Sequence, residues 1–175
     1  MTALIVAFDK QKLIGKDGGM PWYIPGELKR FRQLTKNNVV IMGRKTYLSL
    51  GKPLPDRINI VLSRSEKFSG ENLYSAKNLN DALEMCHTNW PDKDIFIGGG
   101  ANLYHQVLDM VDVMYITEID ARFEGDTYFP EFDESKFTKE TEGHFESTVP
   151  YTYVTYRKKH FFASFEIKFE NGRLV

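Results

Sequence analysis

Glu27 asks more of its surroundings than any other residue in the chain. It lies in Met20 to Lys36, MPWYIPGELKRFRQLTK, where Pro21 and Pro25 punctuate the start. Pro25 suits the first turn of a helix, and the spacing predicts helix from Gly26 onward. At about 100° per residue, Phe31 and Leu34 fall within roughly 40° of Glu27, and Leu28 lies at the edge of that sector. Lys29, Arg30, Gln33 and Lys36 are expected on the other side. A carboxylate centred on an apolar stripe is costly unless something pairs with it. No basic residue is expected on this stripe, so a ligand that donates hydrogen bonds would be the partner. A glutamate near a helix start also complements the macrodipole while staying solvated. This stretch alone leaves both readings open.

A second group of residues suits phosphate. Val39 to Met42 reads as a buried strand, followed by Gly43 and a short helix, Arg44 to Leu50, stopped by Gly51. Backbone N–H groups at the helix start, the cations Arg44 and Lys45 and the Thr46 hydroxyl would point one way. The Walker A pattern fails, because Arg44 interrupts Gly-Lys-Thr and Asn38 stands where the first glycine belongs. Ile58 to Leu62 is a strand ending in Ser63-Arg64-Ser65, a cation and two hydroxyls where open α/β sheets place ligands. Leu73 to Ala76 is a short strand with Lys77 at its end. Asp94 to Ile97 runs into Gly98-Gly99-Gly100 and a helix with Leu103, Tyr104, Val107 and Leu108 on one face. Such glycines let backbone approach a pyrophosphate. The GxGxxG pattern is incomplete: Leu103 replaces its last glycine, and no acid follows about 20 residues on.

Other chemistries find no support. His87, His105, His144 and His160 lack metal-ligand spacing, and no metal is expected. There is no GxSxG elbow. The single cysteine, Cys86, shares a helix face with Leu79, Ala82 and Leu83 after an Asn78 cap, which makes it a core residue. The reaction is therefore expected to belong to a bound cofactor. A formal net charge of −1 gives no footprint for nucleic acid or an anionic membrane. No apolar run approaches the ~20 residues of a membrane span, and the start of the chain has no signal-peptide pattern. A lone cysteine is compatible with a reducing cytoplasm.

These groups need a sheet to carry them. Ala3 to Phe8 is a nearly continuous apolar run, as in a strand buried on both faces. Asp112 to Ile119 is a further strand. Between Ala3–Phe8 and the Glu27 stretch, Gly15-Lys-Asp-Gly-Gly19 reads as a mobile loop, either a lid or plain surface. Phe137–Thr141, Thr152–Lys159 and Phe161–Phe169 favour β structure and are expected to close the sheet as an antiparallel ribbon. The 175 residues suit one domain with a sizeable core.

In order and spacing, the pieces resemble the dihydrofolate reductase family. The resemblance is carried by Ile14-Gly15, Met20-Pro21-Trp22, Pro25-x-Glu27-Leu28-x-x-Phe31, Ile41-Met42-Gly43-Arg44-x-Thr46, Leu54-Pro55-x-Arg57-x-Asn59, Ile97-Gly98-Gly99-Gly100-x-x-x-Tyr104 and Glu124-Gly-Asp-Thr-x-Phe-Pro130. It covers roughly Leu4 to Arg157. It implies a three-layer α/β fold with a mostly parallel central sheet and a C-terminal antiparallel hairpin. It also implies NADPH-dependent reduction of 7,8-dihydrofolate to 5,6,7,8-tetrahydrofolate, serving one-carbon and thymidylate metabolism.

The resemblance also assigns roles. Glu27 would accept hydrogen bonds from the pterin 2-amino group and N3, supported by the Thr117 hydroxyl, with Met20 and Trp22 beside the reacting atoms. Ile5 and Ile97 would offer carbonyls and apolar walls, and Leu28, Phe31 and Leu54 would enclose the rings. Arg57 would hold the α-carboxylate of the glutamate tail, with Arg32 and Lys52 flanking it. Ala7, Ile14, Gly15, Gly18, Gly19 and Met20 would cover the nicotinamide. Arg44, Lys45, Thr46, Gly99 and Gly100 would hold phosphates, with Gly43, Leu62, Gly98, Ala101, Leu103 and Tyr104 lining the same side. Ser63, Arg64 and Lys77 would surround the adenosine 2′-phosphate. With no ribose-binding acid expected nearby, the cluster favours NADPH over NADH.

Departures and alternatives remain. Gly18-Gly19 loosens the expected lid. The domain is expected to span 1–159, with 160–175 an extension of unknown role. In that extension Phe161, Ala163, Phe165, Ile167 and Phe169 alternate ahead of an Asn171-Gly172 turn signal. A cytoplasmic monomer is expected, with the tail offering a surface for self-association. The competing readings are the related pyrimidine reductase of riboflavin synthesis, opposed by Glu27 and Arg57, and a non-catalytic nucleotide-binding module, which has no use for Glu27.

Overall fold

A computed structural model describes residues 1–160 and, beyond them, two short paired strands. The elements in chain order are β1 (Thr2–Phe8), β2 (Leu13–Gly15), α1 (Lys29–Thr35), β3 (Val39–Gly43), α2 (Arg44–Leu50), β4 (Ile58–Leu62), β5 (Leu73–Ala76), α3 (Leu79–Asn89), β6 (Ile95–Ile97), α4 (Ala101–Val107), β7 (Val113–Ile119), β8 (Thr127–Tyr128), β9 (Phe137–Phe145), β10 (Tyr151–Lys158), β11 (Phe169–Glu170) and β12 (Arg173–Leu174). Eight strands form one sheet in the order β5-β4-β3-β6-β1-β7-β10-β9. The first six are mutually parallel, and β10 and β9 close the sheet antiparallel. The β11–β12 pair flanks the Asn171-Gly172 signal. Phe161, Ala163, Phe165 and Ile167 lie outside the described residues.

The parallel strands read as unbroken apolar runs because helices cover both faces. On one face Leu4, Val6, Ile41, Ile60 and Ile116 pack under Leu79, Ala82 and Cys86 of α3 and Leu103, Tyr104 and Val107 of α4. On the other, Ala3, Ile5, Val40, Met42 and Tyr115 meet Phe31 and Leu34 of α1 and Tyr47 of α2. Gly51, at φ +77°, ends α2 by donating to Tyr47 O. Asn78 Oδ1 caps α3 by accepting from Asp81 N–H at 2.8 Å.

Two local features differ from the sequence reading. Lys16 and Gly19 exchange both backbone hydrogen bonds, at 2.8 and 3.0 Å. Asp17 (φ 49°) and Gly18 (φ 84°) turn between them. The glycine-rich loop is thus a closed two-residue hairpin. It is tied down by Asp17 N–H to Asp126 Oδ2 at 3.1 Å. The last long strand pair also carries a bulge. Tyr153 pairs with Gly143 and Val154 with Thr141, leaving Glu142 as the extra residue.

Asp9, which the sequence reading passed over, organises the approach to the site. Its buried carboxylate accepts from Gln11, Leu13 and Phe123 N–H at 2.8, 3.0 and 2.8 Å. This joins the end of β1 to the segment that backs Trp22, whose ring centroid is 5.4 Å from that of Phe123. The small β2–β8 sheet completes the support. There a Cβ on Gly125 would stand 2.5 Å from Gly15 O and 2.8 Å from a Leu13 methyl. Gly125→Ala should therefore cost about 1–3 kcal/mol through overpacking, measured as a lower urea midpoint at unchanged m-value.

Candidate active site

Glu27 does not lie in a helix. Residues 25–28 form a turn, and α1 begins only at Lys29. Gly26, at φ +85°, sets up the turn. The Tyr153 hydroxyl of β10 donates to the carbonyls of Glu27, at 3.0 Å, and Gly26, at 3.3 Å. The turn is thus clamped to the sheet, and Glu27 is 5% exposed. Among the described residues its carboxylate takes part in no hydrogen bond or ion pair. Burial alone pushes its pKa up from 4.5 to about 7. Trp22 is also buried, and its indole N–H has no partner among the described residues. Thr117 lies on β7 in register with Ala7 of β1 and Tyr153 of β10. These three therefore share one face beside the turn.

Arg30 corrects the helical-wheel reading. It is buried rather than solvated on the opposite side. At three residues from Glu27 it stands about 60° away on the wheel, closer than Leu28. That spacing was the available signal. Its guanidinium donates to Ile116 O at 3.1 Å, Val154 O at 3.2 Å and Thr155 Oγ1 at 2.8 Å. It lies against the rings of Tyr115 and Tyr153 and pairs with Glu142 at 3.2 Å. The β9 bulge supplies that carboxylate. Arg30 is thereby committed away from Glu27.

On β4, Asn59 is fully buried. Its side-chain amide accepts from Leu54 N–H at 2.8 Å and donates to the carbonyls of Leu54, at 3.0 Å, and Arg57, at 3.1 Å. This pins the Leu54–Arg57 turn. Arg57 is buried, its Nε has no partner among the described residues, and its guanidinium sits 5.8 Å from the Phe31 ring centroid. Burial lowers its pKa, Asp56 opposes that, and the like charge of Arg32 adds to it. Lys52 and Leu28 are exposed, whereas Ile5 and Ile97 are buried in the sheet. The Ile5 carbonyl accepts from the buried Tyr104 hydroxyl at 2.7 Å, so that hydroxyl is already spent.

The phosphate candidates converge at the C-terminal edge of the sheet. Gly43 pairs with Leu62, and Leu62 with Ala76. The next residues, Arg44, Ser63 and Lys77, therefore follow three adjacent strand ends, with Arg64 beside Ser63. Gly43 N–H donates to Gly99 O at 2.8 Å, bringing Gly98–Gly100 alongside. A Cβ on Gly100 would meet Thr46 Oγ1 at 3.6 Å, and one on Gly98 would press on Val40 at 3.2 Å. Lys45, Arg64 and Lys77 are exposed, and Ala101 and Leu103 open α4. Ile14 and Gly15 lie in β2, with Gly18, Gly19 and the half-exposed Met20 just beyond.

One expectation fails here. An acid does stand in this row: Glu66 accepts from Arg44 Nε at 2.7 Å. Ser63-x-x-Glu66 has the spacing of a capping box, and Ser63 Oγ accepts the Glu66 N–H at 3.0 Å. That pattern was the missed signal.

The model of the dihydrofolate reductase family matches residues 1–158. The chain belongs to the dihydrofolate reductase family. It is 39% identical to the dihydrofolate reductase of Bacillus subtilis (strain 168), over 91% of this chain and 96% of that protein. It is 38% identical to that of Staphylococcus haemolyticus, over 86% of this chain and 90% of the other. Among solved structures it is similar to a dihydrofolate reductase from Enterococcus faecalis complexed with NADP(H) and RAB-propyl. That similarity has a TM-score of 0.80 and 33% identity, covering 91% of this chain and 97% of that one. As a dihydrofolate reductase, the enzyme is an NADPH-dependent oxidoreductase that reduces 7,8-dihydrofolate to 5,6,7,8-tetrahydrofolate.

The raised pKa of Glu27 has a stability consequence in the ligand-free enzyme. Folding holds a proton that the unfolded chain releases near pH 4.5. Wild-type stability should therefore fall as pH rises from about 4.5 through 7, then level off. Glu27→Gln carries no such charge. Relative to wild type it should gain on the order of 2–4 kcal/mol between those limits. Urea unfolding of both proteins at pH 4.5 and 7.5 measures the difference.

Proposed function

We propose that Glu27 is the carboxyl group that receives the pterin and promotes its protonation. Its lack of any partner is the observation that carries this reading. A buried carboxylate of raised pKa is completed by a ligand presenting adjacent N–H donors, as the 2-amino group and N3 of a pterin do. Phe31, Leu54 and the wall at Ile5 lie on one face of the sheet and suit a flat ring system, with Leu28 at the edge. The Ile97 side chain is fully buried on the opposite face with Leu4, so it forms no wall there. Arg57, with Arg32 and Lys52 near the exit, suits the α-carboxylate of the glutamate tail. The mutual repulsion of the two guanidinium groups is relieved when an anion binds.

The cofactor reading rests on the donor set. Arg44, Ser63, Arg64 and Lys77 suit the 2′-phosphate. Lys45, Thr46, Gly99 and Gly100 suit the pyrophosphate, with Gly43, Leu62, Gly98, Ala101, Leu103 and Tyr104 on the same side. Ala7, Ile14, Gly15, Gly18, Gly19 and Met20 would cover the nicotinamide. Bound NADPH supplies the hydride that reduces C6 of the pterin. Glu27, ionising near neutral pH, stabilises the tautomer through which a proton reaches N5. Trp22 would exclude bulk water from that path, and Thr117 would orient the carboxyl.

The same reading places one catalytic domain at 1–159, with 160–175 as an extension that offers a surface for self-association of an otherwise monomeric enzyme. A cytoplasmic setting fits the buried, unpaired Cys86. Among the described residues no helix is long and apolar enough to cross a membrane.

Glu27→Gln should cut dihydrofolate-dependent NADPH oxidation by about 100-fold or more, the scale of a positioned acid–base group. Wild-type hydride transfer should slow as pH rises through the pKa of the complex, and the variant should lose that dependence. A variant with normal turnover and the wild-type pH profile would remove Glu27 from the reaction.

A further inference from the structure

Arg44 is not free to meet a ligand. Its Nε donates to Glu66 Oε1 at 2.7 Å, and its Nη2 stands against the same oxygen. The chain that carries Glu66 is fixed at both ends. At one end, Ser63 Oγ accepts the Glu66 N–H at 3.0 Å, and Ser63 itself is buried. At the other, the Ser75 hydroxyl of β5 donates to Phe68 O at 2.7 Å and also accepts the Phe68 N–H. The Phe68 ring packs edge-on against Tyr47 of α2, with centroids 5.1 Å apart. The carboxylate is thus built into the row of strand ends that holds Arg44, Ser63, Arg64 and Lys77.

We propose that Glu66 is a specificity-determining residue: its carboxylate holds Arg44 in the cofactor-free enzyme, competes there with the ribose phosphate of NADPH, and lowers the enzyme's discrimination against NADH. This rests on the reading that the row binds the 2′-phosphate. Carboxylate and phosphate ask the same of a guanidinium, and one Arg44 cannot serve both without bringing two anions together. NADPH must therefore displace Glu66. The ion pair is half-exposed on both sides, at 40% and 45%, so displacement is feasible. NADH presents a ribose hydroxyl instead. A hydroxyl can donate to a carboxylate, the arrangement by which dinucleotide sites accept the unphosphorylated ribose. Glu66 thus opposes one cofactor and not the other, while the exposed Arg64 and Lys77 keep the row cationic.

The test is equilibrium binding without dihydrofolate. NADPH and NADH are titrated against protein fluorescence in wild type and Glu66→Gln, with adenosine 2′,5′-bisphosphate and 5′-AMP as fragments that carry only the adenosine end. Glu66→Gln should tighten NADPH and the bisphosphate by roughly 3- to 10-fold, the effect shrinking at high salt. NADH and AMP should stay within about twofold. Equal changes for both members of each pair, or none, overturn the proposal. Arg44→Ala separates this from the underlying reading. Selective loss of NADPH affinity in Arg44→Ala with a silent Glu66→Gln sinks the role of Glu66 alone. Equal loss of both cofactors in Arg44→Ala sinks the phosphate seat, and with it the proposal.

Discussion

A carboxyl group is kept buried without a partner among the described residues, and the surrounding structure keeps it so. Desolvation raises the pKa of Glu27 to about 7, and any nearby cation would undo that shift. The basic residue three positions on, Arg30, is buried. Its guanidinium is drawn off by Ile116 O, Val154 O, Thr155 and Glu142. The β9 bulge that aims Glu142 at Arg30 therefore also preserves the raised pKa of Glu27. A buried arginine with its own carboxylate is tolerable, whereas one left unpaired would be strongly destabilising. Tyr153 links the two groups: its hydroxyl holds the Glu27 turn while its ring covers Arg30.

The strand ends proposed to seat the cofactor are assembled on a different principle. Three adjacent parallel strands end in register, and the residue following each end falls into one row. The backbone contact between Gly43 and Gly99 then brings a fourth strand end close. Parallel strands whose side chains are buried on both faces leave only their ends for chemistry. That is why pterin and dinucleotide groups can be carried by one small sheet.

Most of the sheet was legible in the sequence, for the same reason. β1, β3, β4, β6 and β7 announce themselves as apolar runs, and Gly51 and Asn78 mark helix ends through local backbone chemistry. What escaped depends on partners distant in the chain. The start of α1 is set by a tyrosine 126 residues away from Glu27. The burial of Arg30 depends on carbonyls of β7 and β10. The hairpin at Lys16–Gly19 could be anticipated from Asp17-Gly18, but its tether to Asp126 could not. Glu66 had a local signature, and its pairing with Arg44 follows only once β3 and β4 lie side by side.

The account stands or falls on the ionisation of one side chain in the ligand-free enzyme. Carbon-13 NMR of the protein labelled at glutamate carboxyl carbons, with the Glu27 signal assigned by its loss in Glu27→Gln, reads that ionisation directly. A titration midpoint near 7 is the predicted result. A midpoint near the ordinary value of 4.5 would mean that Glu27 is solvated or paired, and would contradict the account at its centre.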